Sequence, residues 1–257
     1  MKYGLVAGRL KPAEKDEFQL AAELGFDGLE LVFAAQNYQQ NPLWTAAGVA
    51  DLKAKAAAVG VEIPSVCAVY YNERGLAAPE QEVRETGVEV LRQLIDRCAD
   101  VGMKNILIAC FAKGEIKEPT QENYIVEAMR RCAPKAQQRG ITLALETTLP
   151  ARRFRALLAR INHPFVRIYY DLANPVIWGE NPAEGLEILA DFVVQLHIKD
   201  RDADKKVVPL GAGQVDYPAV VKTIRKIGYD GYLVLETLAG DAQVRADFKF
   251  IKDQTGV

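Results

Sequence analysis

A closed α/β barrel, a single (β/α)8 or TIM barrel, is the fold class that three features of the chain predict. Short apolar runs alternate with helical patterns from one end to the other. A glycine closes helix after helix, at Gly25, Gly60, Gly102, Gly140 and Gly228, and a β-rich run follows each one. Glycine takes the left-handed conformation of a helix end at the least cost. Repeated at intervals of roughly 35 to 42 residues, helix, glycine and strand mark a parallel sheet with crossover helices. Eight such units in 257 residues match the usual size of this barrel.

The elements follow in order. The first apolar run, 3–8, is a strand, and a helix is expected over 13–24. "AAELGFDGLELVF" (21–33) closes that helix at Gly25 and passes through Asp-Gly into the second strand, 27–33. A helix over 45–59 ends in "AAAVGVEIPSV" and leads to the third strand, 62–69. A helix over 80–100 ends in "CADVGMKNILI" and leads to the fourth, 104–111. A helix over 121–139 ends in "AQQRGITLALE" and leads to the fifth, 141–147. Helix 150–161 precedes strand 166–172, and helix 182–190 precedes strand 193–199. "IRKIGYDGYLVLE" (224–236), a near repeat of 21–33, closes helix 216–227 and opens the eighth strand, 232–237; helix 241–253 completes the set. An open doubly wound sheet would usually carry a glycine-rich phosphate loop after its first strand, and "VAGRLKP" is not one. No low-complexity linker divides the chain, so one domain over 1–257 is expected.

Composition narrows the function classes. The chain is 49% hydrophobic and 26% charged, with a net charge of −2 and both signs interspersed. No basic tract suggests nucleic-acid binding. The N-terminus becomes charged too soon for a signal peptide, and no apolar run nears the ~20 residues of a membrane span. A cytoplasmic protein without membrane contact is expected. Cys67, Cys98, Cys110 and Cys132 show no metal-binding or redox spacing and read as reduced packing residues.

Chemistry is concentrated at the ends of the last four strands, where barrels of this class build their sites. "LALET" (143–147) delivers Glu146, "VRIYYDLAN" delivers Asp171, "VVQLHIKD" delivers His197, and "LVLET" (233–237) delivers Glu236. Side chains alternate along a strand, so the leucines of "LALET" face the helices while Thr142, Ala144 and Glu146 face the barrel axis. The same phase turns Gln195, His197 and Lys199 inward on the seventh strand, and Tyr232, Val234 and Glu236 inward on the eighth. Three carboxylates converging in a dry site repel one another unless a cation neutralises them. Three oxygen donors and one imidazole suit Mn2+, with Mg2+ or Co2+ as alternatives, and do not favour Zn2+. His163, in "RINHPF", belongs to a turn at the opposite rim, and Glu30, inward on the second strand, reads as a buried structural carboxylate, with support of the metal ligands from behind as the alternative. Lys199 and Arg201 are candidates to bind substrate hydroxyls or a phosphate, and Gly211 and Gly213 shape the loop after the seventh strand. Arg9, Lys11, Arg152 and Arg153 add basic residues near the mouth.

"LALET", "YYDLANPVIWGENP", "QLHIKDRD", "VPLGAGQVDYPAVV" and "GYDGYLVLET" together resemble the xylose isomerase-like barrel superfamily. The likeness is to its sugar and sugar-phosphate isomerase/epimerase branch, which includes ketose 3-epimerases, L-ribulose-5-phosphate 3-epimerases and hydroxypyruvate isomerases. It covers the C-terminal half in detail and the first half mainly in "GFDGLEL". The resemblance implies that Glu146, Asp171, His197 and Glu236 are metal ligands and that Glu146 and Glu236 are also the proton-transfer pair. Asn174 falls where free-ketose 3-epimerases carry a histidine near the substrate; "DLAN" is similar instead to the D-x-x-N of sugar-phosphate epimerases, with Trp178 as the aromatic that follows. Asn174, Trp178, Lys199 and Arg201 are thus the expected substrate contacts. Arg201 lies closer to His197 than the substrate arginine of the free-ketose epimerases does. A homo-oligomer, dimer or tetramer, is implied as well.

The expected activity is that of a divalent-metal-dependent sugar or sugar-phosphate isomerase or epimerase, foremost a ketose 3-epimerase. A cation on adjacent carbonyl and hydroxyl oxygens acidifies the neighbouring C–H by stabilising an enediolate. Proton removal by one glutamate and return by the other inverts the carbon; shuttling by a single carboxylate isomerises aldose and ketose. Two other readings use the same scaffold: a metal-dependent dehydratase acting on a keto-polyol, and a non-catalytic sugar-binding barrel. A DNA-repair endonuclease with three zinc ions would need more than the two histidines present.

Overall fold

A computed structural model describes residues 1–11 and 14–256. Residue 13, where the first helix was expected to begin, and residue 257 of the expected domain lie outside the described residues. The strands among the described residues are β1 (Lys2–Val6), β2 (Gly28–Val32), β3 (Ser65–Ala68), β4 (Asn105–Cys110), β5 (Thr142–Thr147), β6 (Val166–Asp171), β7 (Val193–Ile198), β8 (Asp200–Arg201), β9 (Val207–Val208) and β10 (Tyr232–Leu235). All but β8 and β9 close a parallel barrel in chain order, with β10 returning to pair with β1. The predicted (β/α)8 fold is therefore the observed one.

The helices are α1 (Glu17–Leu24), α2 (Ala46–Val59), α3 (Tyr70–Glu73), α4 (Gln81–Val101), α5 (Pro119–Arg139), α6 (Ala151–Ile161), α7 (Pro182–Leu189), α8 (Tyr217–Lys226) and α9 (Asp241–Thr255). The five closing glycines all adopt positive φ. Alternation along the strands splits the interior into two layers. Ile106, Ile108, Leu143, Leu145, Leu196, Ile198, Leu233 and Leu235 point outward and are buried beneath the helices. Cys67, Leu107, Ala109, Ala144 and Tyr169 point inward and fill the barrel. Truncating one such leucine, as in Leu145→Ala, typically costs ~2–5 kcal/mol.

Several boundaries differ from expectation, each for a local reason. The third strand starts at Ser65 instead of 62, because Pro64 has no N–H to donate to a ladder; Glu62 keeps only an isolated bridge to Gly28. The first helix starts at Glu17, where Asp16 and Gln19 form a reciprocal capping box. The first strand ends at Val6 and the eighth barrel strand at Leu235. The Glu236 N–H still donates to the Ile198 carbonyl at 3.0 Å, so the glutamate stays anchored to β7. The charged segment after β7, "KDRDADKK" (199–206), begins an antiparallel hairpin in which β8 pairs with β9.

Candidate metal centre

Strand register brings the polar residues together. Asp171 of β6 pairs directly with His197 of β7, and His197 pairs with Val234 of β10, two residues before Glu236. Glu146 stands one strand further on, at the end of β5. Ligand atoms of Glu146, Asp171 and His197 all lie within 4.8 Å of one another, and all three residues are buried. The imidazole Nδ1 is 4.0 Å from Glu146 Oε1 and 3.2 Å from Glu236 Oε2. Neither oxygen is placed to accept a hydrogen bond from it, so a fully buried ring nitrogen aims into the acidic cluster without a partner.

Each carboxylate is held by its own neighbours. Asp171 Oδ1 accepts the Ala173 and Asn174 backbone N–H groups at 2.7 and 2.8 Å, which turns the chain beyond β6 and leaves Oδ2 facing the cluster. Asn174 Nδ2 donates to Glu146 Oε1 at 3.0 Å. Lys199 Nζ bridges Asp171 Oδ2 at 3.1 Å and Glu236 Oε2 at 2.6 Å. Burial alone would lower the Lys199 ammonium, but Asp171 and Glu236 hold it above its usual range. Burial raises Glu146 to about 8. Burial pushes Glu236 in the same direction, yet Lys199 and His197 overcome it and hold Glu236 well below the usual carboxylate range. His197 would be discharged by burial, but Glu30 and Glu236 raise it well above an ordinary imidazole.

This donor set fits a divalent cation. Three carboxylates, Glu146, Asp171 and Glu236, act on a single buried ammonium, Lys199. The partnerless Nδ1 is a ligand atom with nothing else to bind. Glu146, Asp171 and His197 would form the core of such a site. Glu236 sits beside them, drawn toward Lys199, and is not within that three-residue cluster.

A cavity of about 300 Å³ opens over the cluster. Its lining mixes polar residues, among them Glu146, Asn174, His197, Lys199, Arg201 and Glu236, with apolar ones, among them Cys67, Val69, Ala109, Phe111, Ile177 and Trp178. Trp178 is 53% exposed, so its ring is available to a ligand, and Lys205 Nζ lies 5.4 Å from its centre. Arg201 spends Nη1 on the Lys205 carbonyl at 2.7 Å, while its buried Nε has no partner. Asp200, which sequence reasoning missed, accepts the Gly211, Gly213 and Val215 N–H groups at 3.0, 3.0 and 3.1 Å and so pins the loop after β9 beneath Arg201. A methyl group on Gly213 would collide with that carboxylate.

The remaining candidates separate cleanly. Arg9 Nη2 lies 3.7 Å from Glu236 Oε1, at the mouth. Arg153 is occupied by Glu122 at 2.6 Å. His163 is a turn residue, its Nδ1 accepting the Phe165 N–H at 3.2 Å. Glu30 is fully buried, and touches His197 directly.

The family model described as xylose isomerase-like TIM barrel matches residues 18–254. The chain belongs to this family. Among its members, the chain is 31% identical over 216 residues to a 2-epi-5-epi-valiolone 7-phosphate 2-epimerase of an Actinoplanes species, covering 83% of this chain and 78% of the relative. It is 26% identical over 237 residues to the L-ribulose-5-phosphate 3-epimerase UlaE of Escherichia coli K12, covering 89% and 83%. The fold of this xylose isomerase-like barrel is shared with a crystal structure of a xylose isomerase domain protein from Planctomyces limnophilus, at TM-score 0.81, 21% identity and coverage of 98% and 96%. It is shared equally with D-psicose 3-epimerase from Clostridium cellulolyticum H10 bound to D-tagatose, at TM-score 0.81, 19% identity and coverage of 99% of both chains. The protein is an enzyme of the isomerase class. No helix among the described residues is long and apolar enough to cross a membrane.

Proposed function

We propose that the protein is a divalent-metal-dependent epimerase of phosphorylated ketoses or cyclic keto-polyols, inverting a carbon next to a carbonyl by proton exchange between Glu146 and Glu236. The observation that carries this reading is the opposed pair of glutamates. They reach the His197 edge from the ends of different strands, Glu146 Oε1 4.0 Å and Glu236 Oε2 3.2 Å from Nδ1. Two carboxylates that reach one buried site from different strands are what a two-base inversion requires. Glu146, Asp171, His197 and Glu236 would hold the cation, with Mn2+ best suited to the oxygen-rich set and Mg2+ or Co2+ admissible. When bound, the cation polarises a carbonyl and stabilises the negative charge left by proton removal.

The chain's own residues supply the rest. One glutamate removes the proton and the other returns one to the opposite face; Asn174 holds Glu146 and Lys199 holds Glu236 in place. Lys199 keeps Glu236 oriented and screens it from Asp171. The apolar lining residues Cys67, Val69, Ala109 and Phe111 limit water in the cavity. The phosphate reading rests on Arg201, which lines the cavity with no carboxylate paired to it among the described residues, and on the phosphorylated substrates in both relatives' names.

Deuterium wash-in tests the proposal: Mn2+-loaded protein in D2O, with free and phosphorylated ketoses and keto-cyclitols followed by NMR. The expected result is label at the carbon beside the carbonyl, together with the epimer. Glu146→Gln and Glu236→Gln should each lower epimer formation by ~10²–10⁴, while one of them still exchanges label into a single epimer. Label at an aldehyde carbon would move the reading to aldose–ketose isomerisation, and an ultraviolet-absorbing enone would move it to dehydration.

A further inference from the structure

We infer that Glu30 is a positioning residue of the metal centre, setting which nitrogen of His197 faces the cation. The inference rests on the metal reading above and decides between the structural and the supporting role for Glu30.

Glu30 is fully buried, on the far side of the barrel from β7. Its Oε1 lies 2.7 Å from His197 Nε2. Its Oε2 accepts two hydroxyl protons, from Ser65 Oγ at 2.6 Å and Tyr169 OH at 2.8 Å. Those hydroxyls are themselves committed, because Gln195 Nε2 donates to both, at 2.7 and 3.0 Å. Gln195 Oε1 in turn accepts from Asn105 Nδ2 at 2.7 Å. The chain of donors therefore has one direction: Asn105 to Gln195, Gln195 to the two hydroxyls, the hydroxyls to Glu30. Every proton arriving at Glu30 comes from a partner, so the carboxylate presents only acceptor oxygens to the imidazole. Nε2 must then carry its proton, and Nδ1 is the nitrogen left to coordinate.

The geometry agrees with this at the other edge of the ring. Nδ1 is the buried atom without a hydrogen-bond partner, and it points at Glu146 and Glu236. Tyr169 also lies against the ring, with centroids 4.3 Å apart, and limits its rotation. Five strands, β2, β3, β4, β6 and β7, contribute to a network that closes the barrel floor beneath the site. A polar network with each member satisfied is rigid, because any rearrangement strands a buried group. Ligand-orienting carboxylates of this kind typically change metal affinity ~10–100-fold when removed.

The test is calorimetric titration of EDTA-stripped protein with Mn2+. Wild type should bind, and His197→Ala should not. Glu30→Gln should bind ~10–100-fold more weakly, with an unchanged circular dichroism spectrum. Equal affinity in wild type and Glu30→Gln would overturn the role of Glu30 and leave the metal site standing. Failure of the wild type to take up Mn2+ would overturn the metal reading itself, and the inference with it. A merely structural Glu30 would lower the melting temperature without moving the Mn2+ dissociation constant. Should Glu30→Gln fail to fold, ¹⁵N NMR of the wild-type imidazoles with Mg2+ bound decides the matter. There are only two histidines, so a His163→Asn variant assigns the signals. A protonated Nε2 with unprotonated Nδ1 supports the inference, and a proton on Nδ1 overturns it.

Discussion

Lys199 and Arg201 carry the sharpest consequences at the residue scale. Lys199 is 9% exposed and holds two carboxylates at once. Removing one partner from a buried ion pair typically costs ~3–5 kcal/mol, because the others are left without compensation. Lys199→Met should therefore destabilise metal-free protein by about that amount in urea unfolding, and saturating Mn2+ should recover more stability in the variant than in wild type. Arg201 lines the cavity without a carboxylate partner among the described residues. Hydrogen bonds to charged groups contribute ~1.5–3 kcal/mol, so Arg201→Met should raise KM for a phosphorylated substrate roughly tenfold to a hundredfold, with kcat nearly unchanged. A free-sugar substrate should show no such difference, and steady-state kinetics on a matched pair separates the two. The cysteines are free and buried, as their spacing suggested. Burial pushes Cys110 to about 12 and Cys132 to about 11, away from the reactive thiolate. Native protein should release less than one thiol equivalent to a disulfide reagent within minutes, and all four once unfolded. Residue identity and strand parity together exposed Glu146, Asp171 and His197. They left Glu30 between a structural and a supporting role, because its partner is 167 residues away across the barrel.

Among the elements, the segment after β7 departs most from what the sequence announced. "KDRDADKK" carries enough charge to read as solvated loop, yet Asp202 folds it back by accepting the Asp204 and Lys206 N–H groups, both at 2.9 Å. The resulting hairpin presents Arg201 to the cavity. Asp200 then gathers the next loop through its backbone amides, and Gly213 is small enough to let the carboxylate in. Gly213→Ala should break that clamp at a cost of ~1–3 kcal/mol, leave the barrel's circular dichroism intact, and expose residues 200–215 to limited proteolysis. An uncut loop in that variant would show that Asp200 does not organise it. The regular βα units were far more legible, since glycine closures and apolar alternation are local signals. Two of the boundary shifts trace to single residues, Pro64 before β3 and Asp16 before α1.

For the whole molecule, metal and stability should be coupled. A ligand that binds only the folded state at a hundred times its dissociation constant adds ~2.7 kcal/mol, which for a chain of this size corresponds to about 5–10 °C in Tm. EDTA-treated protein should therefore melt about 5–10 °C below Mn2+-saturated protein, and His197→Ala should melt at one temperature under both conditions. What the sequence by itself determined is the periodic part: eight strand–helix units, the phase of each strand, and hence which residues line the barrel end. Those are local properties, written in alternation, in the glycine that ends each helix, and in residue type at a strand's last inward position. Only the tertiary structure decided how the lining residues divide their work. It placed Lys199 between Asp171 and Glu236, drew Glu236 away from the three-residue cluster, gave Asn174 to Glu146, and set Glu30 behind His197. These assignments depend on distances across a closed barrel, where residues remote in sequence meet in a low-dielectric interior and each buried polar group must find a partner. No spacing along the chain encodes that pairing, because it exists only after the last strand has returned to the first.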